Sequence, residues 1–227
     1  MTAILSNLQA VHAAINRAAL ESRRDAAQIT LLAVSKMVPA SLIREAYHLG
    51  QQAFGENYAQ EALDKMHDLQ DLPLEWHFIG PIQSNKTRAI AENFSWVHSV
   101  DRIKIARRLS DQRPANLPPL NVCVQINISN EASKGGVAPD EAAALAQAIF
   151  ILPRLKLRGL MAIPAPSEGQ PAQREPLAKM RELLTKLNAS GLNLDTLSMG
   201  MSHDLTAAIL EGATIVRVGT AIFGNRI

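Results

Sequence analysis

The run Ile29-Thr30-Leu31-Leu32-Ala33-Val34-Ser35, with Lys36 directly after it, is apolar and too short to stand as a helix. Read as a strand, it is the first of eight. Similar short runs occupy residues 52–55, 75–79, 96–100, 120–128, 155–163, 196–199 and 214–218. Amphipathic stretches precede and separate them. Ile4, Leu8, Val11, Ile15 and Ala18 or Ala19 share one face of an N-terminal helix. Leu42, Ile43, Ala46 and Leu49 form a second face, ended by Gly50. Asp101 is placed to cap a helix carrying Ile105, Ala106 and Leu109, and Pro139 to start one carrying Ala142, Leu145, Ala146 and Ile149. Leu177, Met180, Leu184 and Leu187 line another, closed by Gly191. Ser202 is the expected cap of the last, whose Leu205, Ala208 and Ile209 precede Gly212. Strands alternating with helices imply a parallel sheet. Eight such units in 227 residues point to an α/β protein: a single (β/α)8 barrel domain of the TIM type over residues 1–227, with an N-terminal helix. An open doubly wound sheet is the alternative.

Composition narrows the function classes. Apolar residues make up 47% and charged residues 19%, an ordinary globular balance. The formal charge is +2 with acids and bases interleaved, so no basic stripe argues for nucleic acid. The single cysteine, Cys123, cannot form an internal disulfide and fits a reducing compartment. No uncharged apolar run approaches the ~18 residues of a membrane span, and the N-terminus lacks a basic-then-apolar leader. A cytoplasmic protein is expected. The six histidines show no metal-binding spacing. His77 and His98, inside apolar strands, read as hydrogen-bonded core or rim residues. Arg107-Arg108 and Arg23-Arg24 read as solvated helix faces.

In a (β/α)8 barrel the working face lies at the C-terminal ends of the strands, and phosphate commonly binds after the last two. Lys36 lies at that end of the first strand and Gly219-Thr220 at that end of the last. Closing the barrel makes them neighbours. Most lysines are solvated, but this one emerges from an apolar strand into a rim, where desolvation favours the neutral amine that attacks aldehydes. Gly219-Thr220 followed by Ala221-Ile222-Phe223-Gly224 reads as a tight turn into a final helix, or as bare amides and a hydroxyl around a phosphate. Ser202, just after the seventh strand, could serve either as an N-cap or on that phosphate. Arg217 sits between Val216 and Val218 and is costly there unless paired. It is read either as half of a buried ion pair or as a donor to a ring nitrogen of a ligand. An amine, an arginine and a phosphate cradle are what a protein needs to hold pyridoxal phosphate.

Several specific runs extend this reading. They are the strand ending at Lys36, Phe54-Gly55-Glu56-Asn57-Tyr58, and the stretch from Trp76 to Lys86 that contains His77-Phe78-Ile79-Gly80-Pro81. Further on come Gln125-Ile126-Asn127-Ile128, Gly159-Leu160-Met161-Ala162-Ile163-Pro164, Met199-Gly200-Met201-Ser202 with Asp204, and Arg217 through Gly224. In these runs the chain resembles the pyridoxal phosphate homeostasis proteins, whose barrel is similar to the N-terminal domain of bacterial alanine racemase. The resemblance implies that Lys36 forms a Schiff base with pyridoxal 5′-phosphate. It also implies that Ser202, Gly219 and Thr220 surround the phosphate, that Arg217 faces the pyridine nitrogen and that Asn57 lies on the cofactor's rim. An arginine there keeps the ring nitrogen unprotonated and weakens the ring as an electron sink. The chain departs from the family pattern at Val38, where many members carry a second lysine, and at His203, where a small or acidic residue is frequent. His203 reads as a solvated helix-start residue. Lys134, in Glu131-Ala132-Ser133-Lys134-Gly135-Gly136, matches a family lysine after the fifth strand and reads as a mobile loop lysine, with approach to the pocket as the alternative.

Two leading function classes follow. One is a carrier that holds the cofactor, limits the free aldehyde and supplies it to apo-enzymes, with a monomer as the expected state. The other is a small amino-acid racemase with Lys36 as one base. Racemisation needs a second acid/base on the opposite face of the substrate, and in the resembling racemase that is a tyrosine from a C-terminal β-domain. The sequence ends soon after the final barrel element, and nothing places Tyr47 or Tyr58 above the ring, so the carrier is expected. A phosphate-binding barrel without pyridoxal phosphate is a third, weaker reading.

Overall fold

Each expected strand forms, with its ends moved by a residue or two, in the computed structural model, which describes residues 2–131 and 134–224. They are β1 (Thr30–Val34), β2 (Ala53–Glu56), β3 (Glu75–Phe78), β4 (Trp96–Val100), β5 (Leu120–Ile126), β6 (Leu155–Ala162), β7 (Thr196–Ser198) and β8 (Ile215–Val218). All pair in parallel in chain order, and β1 closes on β8 through Thr30↔Ile215, Leu31↔Val216, Leu32↔Arg217 and Ala33↔Val218. The barrel is closed, which excludes the open sheet.

Alternation along each strand divides the side chains between two cores. Outward residues such as Ala33, Phe54, Val97 and Val216 pack under the helices in the larger core. Leu32, Ala53, Trp96, Cys123, Met161 and Ile215 fill the lumen. The enclosed Cys123 thiol is pushed up to about 12 by burial, so it is chemically quiet.

The helices are α1 (Ala3–Glu21), α2 (Ala40–His48), α3 (Ala59–Asp68), α4 (Thr87–Asn93), α5 (Ile103–Gln112), α6 (Ala142–Phe150), α7 (Gln170–Ala189), α8 (Leu205–Leu210) and α9 (Thr220–Phe223). Apolar periodicity does not mark α3 or α4. The first buries only Ala59, Ala62 and Lys65, and the second Thr87, Ile90 and Ala91, so neither carries a stripe of large apolar residues.

Three helix starts differ from expectation. Arg102, not Asp101, precedes α5, and Asp101 instead pairs with it at 2.6 Å. The helix α6 begins after Glu141, whose carboxylate accepts the Ala138 N–H at 3.1 Å, leaving Pro139 in the preceding turn. The helix α8 is six residues long and begins after Asp204, which reaches back to accept the Met201 N–H at 2.6 Å. Ser202 is therefore no cap. Two arginines also leave the solvated faces expected of them. Arg108 Nε donates to Ser84 O and Thr87 Oγ1, both at 3.1 Å, and an Arg24 NH group donates to Ile209 O at 3.0 Å. Long stems let these cations bridge elements while their chain neighbours Arg23 and Arg107 stay exposed. Among the described residues no helix is long and apolar enough to cross a membrane, and no cluster could hold a metal ion.

Candidate functional site

Closure of β1 on β8 brings the two ends of the sequence to one rim. Ser35 continues the β1–β2 ladder by donating its N–H to Gly55 O at 2.9 Å, and Lys36 follows as the chain turns away. On the neighbouring strand Arg217 points into the lumen and Gly219 opens the turn into α9. A cavity of about 320 Å³ lies between them, and Lys36, Asn57, Ser202, Arg217, Gly219 and Thr220 all line it. The six residues singled out from the sequence thus meet in one place. Val34, Ile79 and Ile163 supply apolar wall, with Met201 and His203 beside Ser202. Sequence reasoning assigned no site role to Val34, Ile79, Ile163 or Met201; the available signal was their position at inward-facing strand ends or beside Ser202. His203 is exposed, as expected, yet it borders the cavity.

Charge in the cavity is one-sided. Lys36 and Arg217 line it, and among the described residues no carboxylate does. The helix α9 is preceded by Gly219, and its first amide N–H groups have no intrahelical acceptor, so they add donors to the same side. Asn57 Oδ1 is buried on the wall without a partner among the described residues. The approach to Ser202 is shaped by Gly200, at φ 95°, where an added Cβ would stand 2.5 Å from Ala208 Cβ. Only a residue without a side chain allows that turn. The set suits an anionic ligand of small-molecule size with ring or chain polar atoms.

Arg217 pairs with no carboxylate among the described residues. Its guanidinium donates to Ser198 O at 2.6 Å, Ser198 Oγ at 2.8 Å and Ala162 O at 2.8 Å. Two N–H groups of the five on a guanidinium are left for the cavity. Burial brings the group down to about 10, so it is still charged at neutral pH.

Behind it runs a polar seam that the sequence did not reveal as such. The Ser198 hydroxyl, an acceptor from Arg217, lies 2.7 Å from His98 Nδ1 across the lumen. His98 Nε2 lies 2.9 Å from His77 Nδ1. His77 Nε2 stands 3.3 Å from Glu75 Oε2 but off line for a full hydrogen bond. Burial lowers both imidazoles, His98 well below its ordinary value. Burial therefore favours the neutral form of each ring. The histidines expected as hydrogen-bonded core residues hold that place.

The remaining candidates separate. Lys134 is not a free loop lysine: its Nζ donates to Ile163 O at 3.2 Å and Pro164 O at 3.0 Å, and lies 2.6 Å from Glu131. It lines an adjoining cavity that shares Asn57, Ile79 and Ile163 with the first. Ala132 and Ser133 of its loop lie outside the described residues. Val38 is buried in the outer core. Tyr47 lies in α2, Tyr58 is exposed before α3, and neither lines the cavity.

Comparison with known proteins matches this geometry to a family. The family described as "Alanine racemase, N-terminal domain" matches residues 7–226. The chain is 62% identical over 226 residues to the Pyridoxal phosphate homeostasis protein of Pseudomonas aeruginosa, covering 100% of this chain and 97% of that one. It is 54% identical over 229 residues to the protein of the same name from Escherichia coli, covering 100% and 98%. Among solved structures it is similar to PipY of Synechococcus elongatus with PLP bound, at 38% identity, a TM-score of 0.83 and coverage of 97% and 100%. Alanine racemase from Corynebacterium glutamicum shares the fold at 19% identity and a TM-score of 0.70, covering 99% of this chain and 61% of that one.

Proposed function

The chain belongs to the alanine racemase N-terminal domain family, and we propose that it holds pyridoxal 5′-phosphate in the rim cavity, limits the free aldehyde and supplies the cofactor to apo-enzymes. One observation carries the reading: Lys36, Asn57, Ser202, Arg217, Gly219 and Thr220 converge on a single cavity whose wall holds a lysine, an arginine and, among the described residues, no carboxylate. The fit is chemical as well as spatial. The open amides after Gly219 and the hydroxyls of Ser202 and Thr220 are donors of the kind a phosphate takes. The two spare N–H groups of Arg217 suit a ring nitrogen that accepts. Asn57 Oδ1 awaits a donor such as the ring hydroxyl. Lys36 supplies the amine for the aldehyde. When bound, the cofactor supplies a reactive aldehyde and an electron-withdrawing ring. Arg217, charged at neutral pH, leaves that ring nitrogen unprotonated and restrains the withdrawal.

A carrier is favoured over a racemase because racemisation needs a second proton-transfer group across the ligand. Besides Lys36 and Arg217, the one titratable residue on the cavity wall among the described residues is His203, exposed at its edge. Lys36→Ala tests the reading. Wild-type protein incubated with pyridoxal phosphate and reduced with borohydride should gain one cofactor by intact mass, mapped to the Lys36 peptide, and the variant should gain none there. Undiminished labelling in the variant refutes the assignment of Lys36. Racemisation of a panel of amino acids by the wild type, lost in the variant, refutes the carrier.

A further inference from the structure

The peptide units on both sides of Lys36 are gripped from behind by charged side chains that do not touch the cavity. Ser35 O accepts from Lys65 Nζ at 2.7 Å, and the Met37 N–H donates to Glu61 Oε1 at 2.5 Å. Lys65 and Glu61 are one turn apart on α3 and pair with each other at 2.5 Å. Glu56, at the end of β2, completes the cluster: its Oε1 accepts from Lys65 at 2.9 Å and from the Ser35 hydroxyl at 2.6 Å. Glu56 is fully buried, its Oε2 has no partner, and burial pushes its carboxyl up. A buried ionic cluster of this kind is a poor source of net stability, since desolvation offsets the attraction.

The conformation it grips is an unusual one. Ser35 O also accepts the Val38 N–H at 2.9 Å, closing a tight turn with Lys36 and Met37 at its centre. Met37 lies at φ 59°, in the left-handed region that residues with side chains rarely occupy. Its side chain is 60% exposed, so packing of that side chain does not hold the turn. Backbone hydrogen bonds do, and two of them end on α3.

We propose that Glu61 and Lys65 are positioning residues for Lys36, fixing the turn that aims its amine into the cavity. The inference rests on the assignment of Lys36 as the aldehyde-binding amine and deepens it. Capture joins the Lys36 nitrogen to the aldehyde carbon, with the carbonyl oxygen leaving as water. Borohydride then delivers hydride to the carbon–nitrogen double bond and fixes it. Capture depends on where the nitrogen sits, whereas reversible binding of the phosphate and ring depends on Ser202, Arg217, Gly219 and Thr220.

Pyridoxine 5′-phosphate, which carries an alcohol in place of the aldehyde, separates the two. In Glu61→Ala, the rate of borohydride-trapped labelling at Lys36 by pyridoxal phosphate should fall about tenfold or more, the scale of a misplaced reacting group. Pyridoxine 5′-phosphate affinity should stay within about twofold, well inside that scale. Glu61→Gln keeps an acceptor for the Met37 N–H and should recover most of the rate. Lys65→Met, which frees Ser35 O, should show the same split as Glu61→Ala. An unchanged trapping rate in Glu61→Ala overturns the proposal, as does an equal loss of trapping and of pyridoxine 5′-phosphate binding, the sign of a general collapse. Failure of Glu61→Gln to recover overturns it too. If the wild type itself is not labelled at Lys36, the underlying function falls and the proposal with it.

Discussion

Neutral, buried imidazoles give the interior of this barrel a residue-level sensitivity to acid. His98 is held well below its ordinary 6.5 by burial first, then by His77 and Arg217. His77 is lowered by burial, with Glu75 opposing. In the unfolded chain both bind protons at the ordinary value, and in the native chain they do so only at lower pH. The unfolded state therefore binds more protons below pH 6.5, and stability falls as the pH drops from there towards the native values. The slope can reach about 1.4 kcal/mol per pH unit for each such histidine. Urea midpoints measured between about pH 8 and pH 5 should decline on the acid side, and His98→Asn should flatten the decline. A midpoint indifferent to pH over that window would show that the seam is not held neutral. The residue types of this site were legible early: a lysine leaving a strand, an arginine inside one and a glycine-threonine turn. Their partners were not. Ser198 meets His98 from 100 positions away, and no spacing rule in one sequence links a serine on one strand to a histidine across the lumen.

Individual elements show where local signals succeed and fail. Strand existence was readable because short apolar runs alternate with helical stretches. Helix starts were misassigned at Asp101, Pro139 and Ser202 because capping residue types recur in loops, and which one caps depends on how the loop lies. The strand β6 contains a feature that tertiary pairing alone makes visible. Its register with β5 slips between Val122↔Leu157 and Cys123↔Gly159, leaving Arg158 as the extra residue. Arg158 turns to Asp195 at 2.8 Å and stacks over Trp96 at 4.7 Å. After the slip Gly159 lies against β7, where an added Cβ would overlap the Thr196 carbonyl. Met161 is thereby set inward and Ala162 O towards Arg217. Gly159→Ala should cost at least about 3 kcal/mol by chemical denaturation, at the upper end of single-residue effects. A loss below about 1 kcal/mol would mean that β6 and β7 can separate without strain.

For the whole molecule, closure is what makes a site. The pairing of β1 with β8 puts Lys36 beside Gly219, and α1 backs that junction from outside, where Asn7 Nδ2 donates to Ile222 O at 2.9 Å. Ile4, Leu8, Val11 and Ile15 are buried along one face of α1. Leu8→Ala should lower stability by about 2–4 kcal/mol and weaken pyridoxine 5′-phosphate binding, because α9 loses its support. Full affinity in a destabilised variant would separate α1 from the turn at Gly219. The sequence by itself determined the alternation of eight strands with helices, the parallel sheet that alternation implies, and the residue types at the strand ends, because hydrophobic periodicity and turn chemistry are local. Tertiary structure alone decided that Arg217 is held by Ser198 and Ala162 rather than by a carboxylate, that Lys134 is tied to the end of β6, and that Glu61 and Lys65 stand behind Lys36. Those relations depend on strand register and on helix placement over the sheet, which arise only when segments distant along the chain pack together.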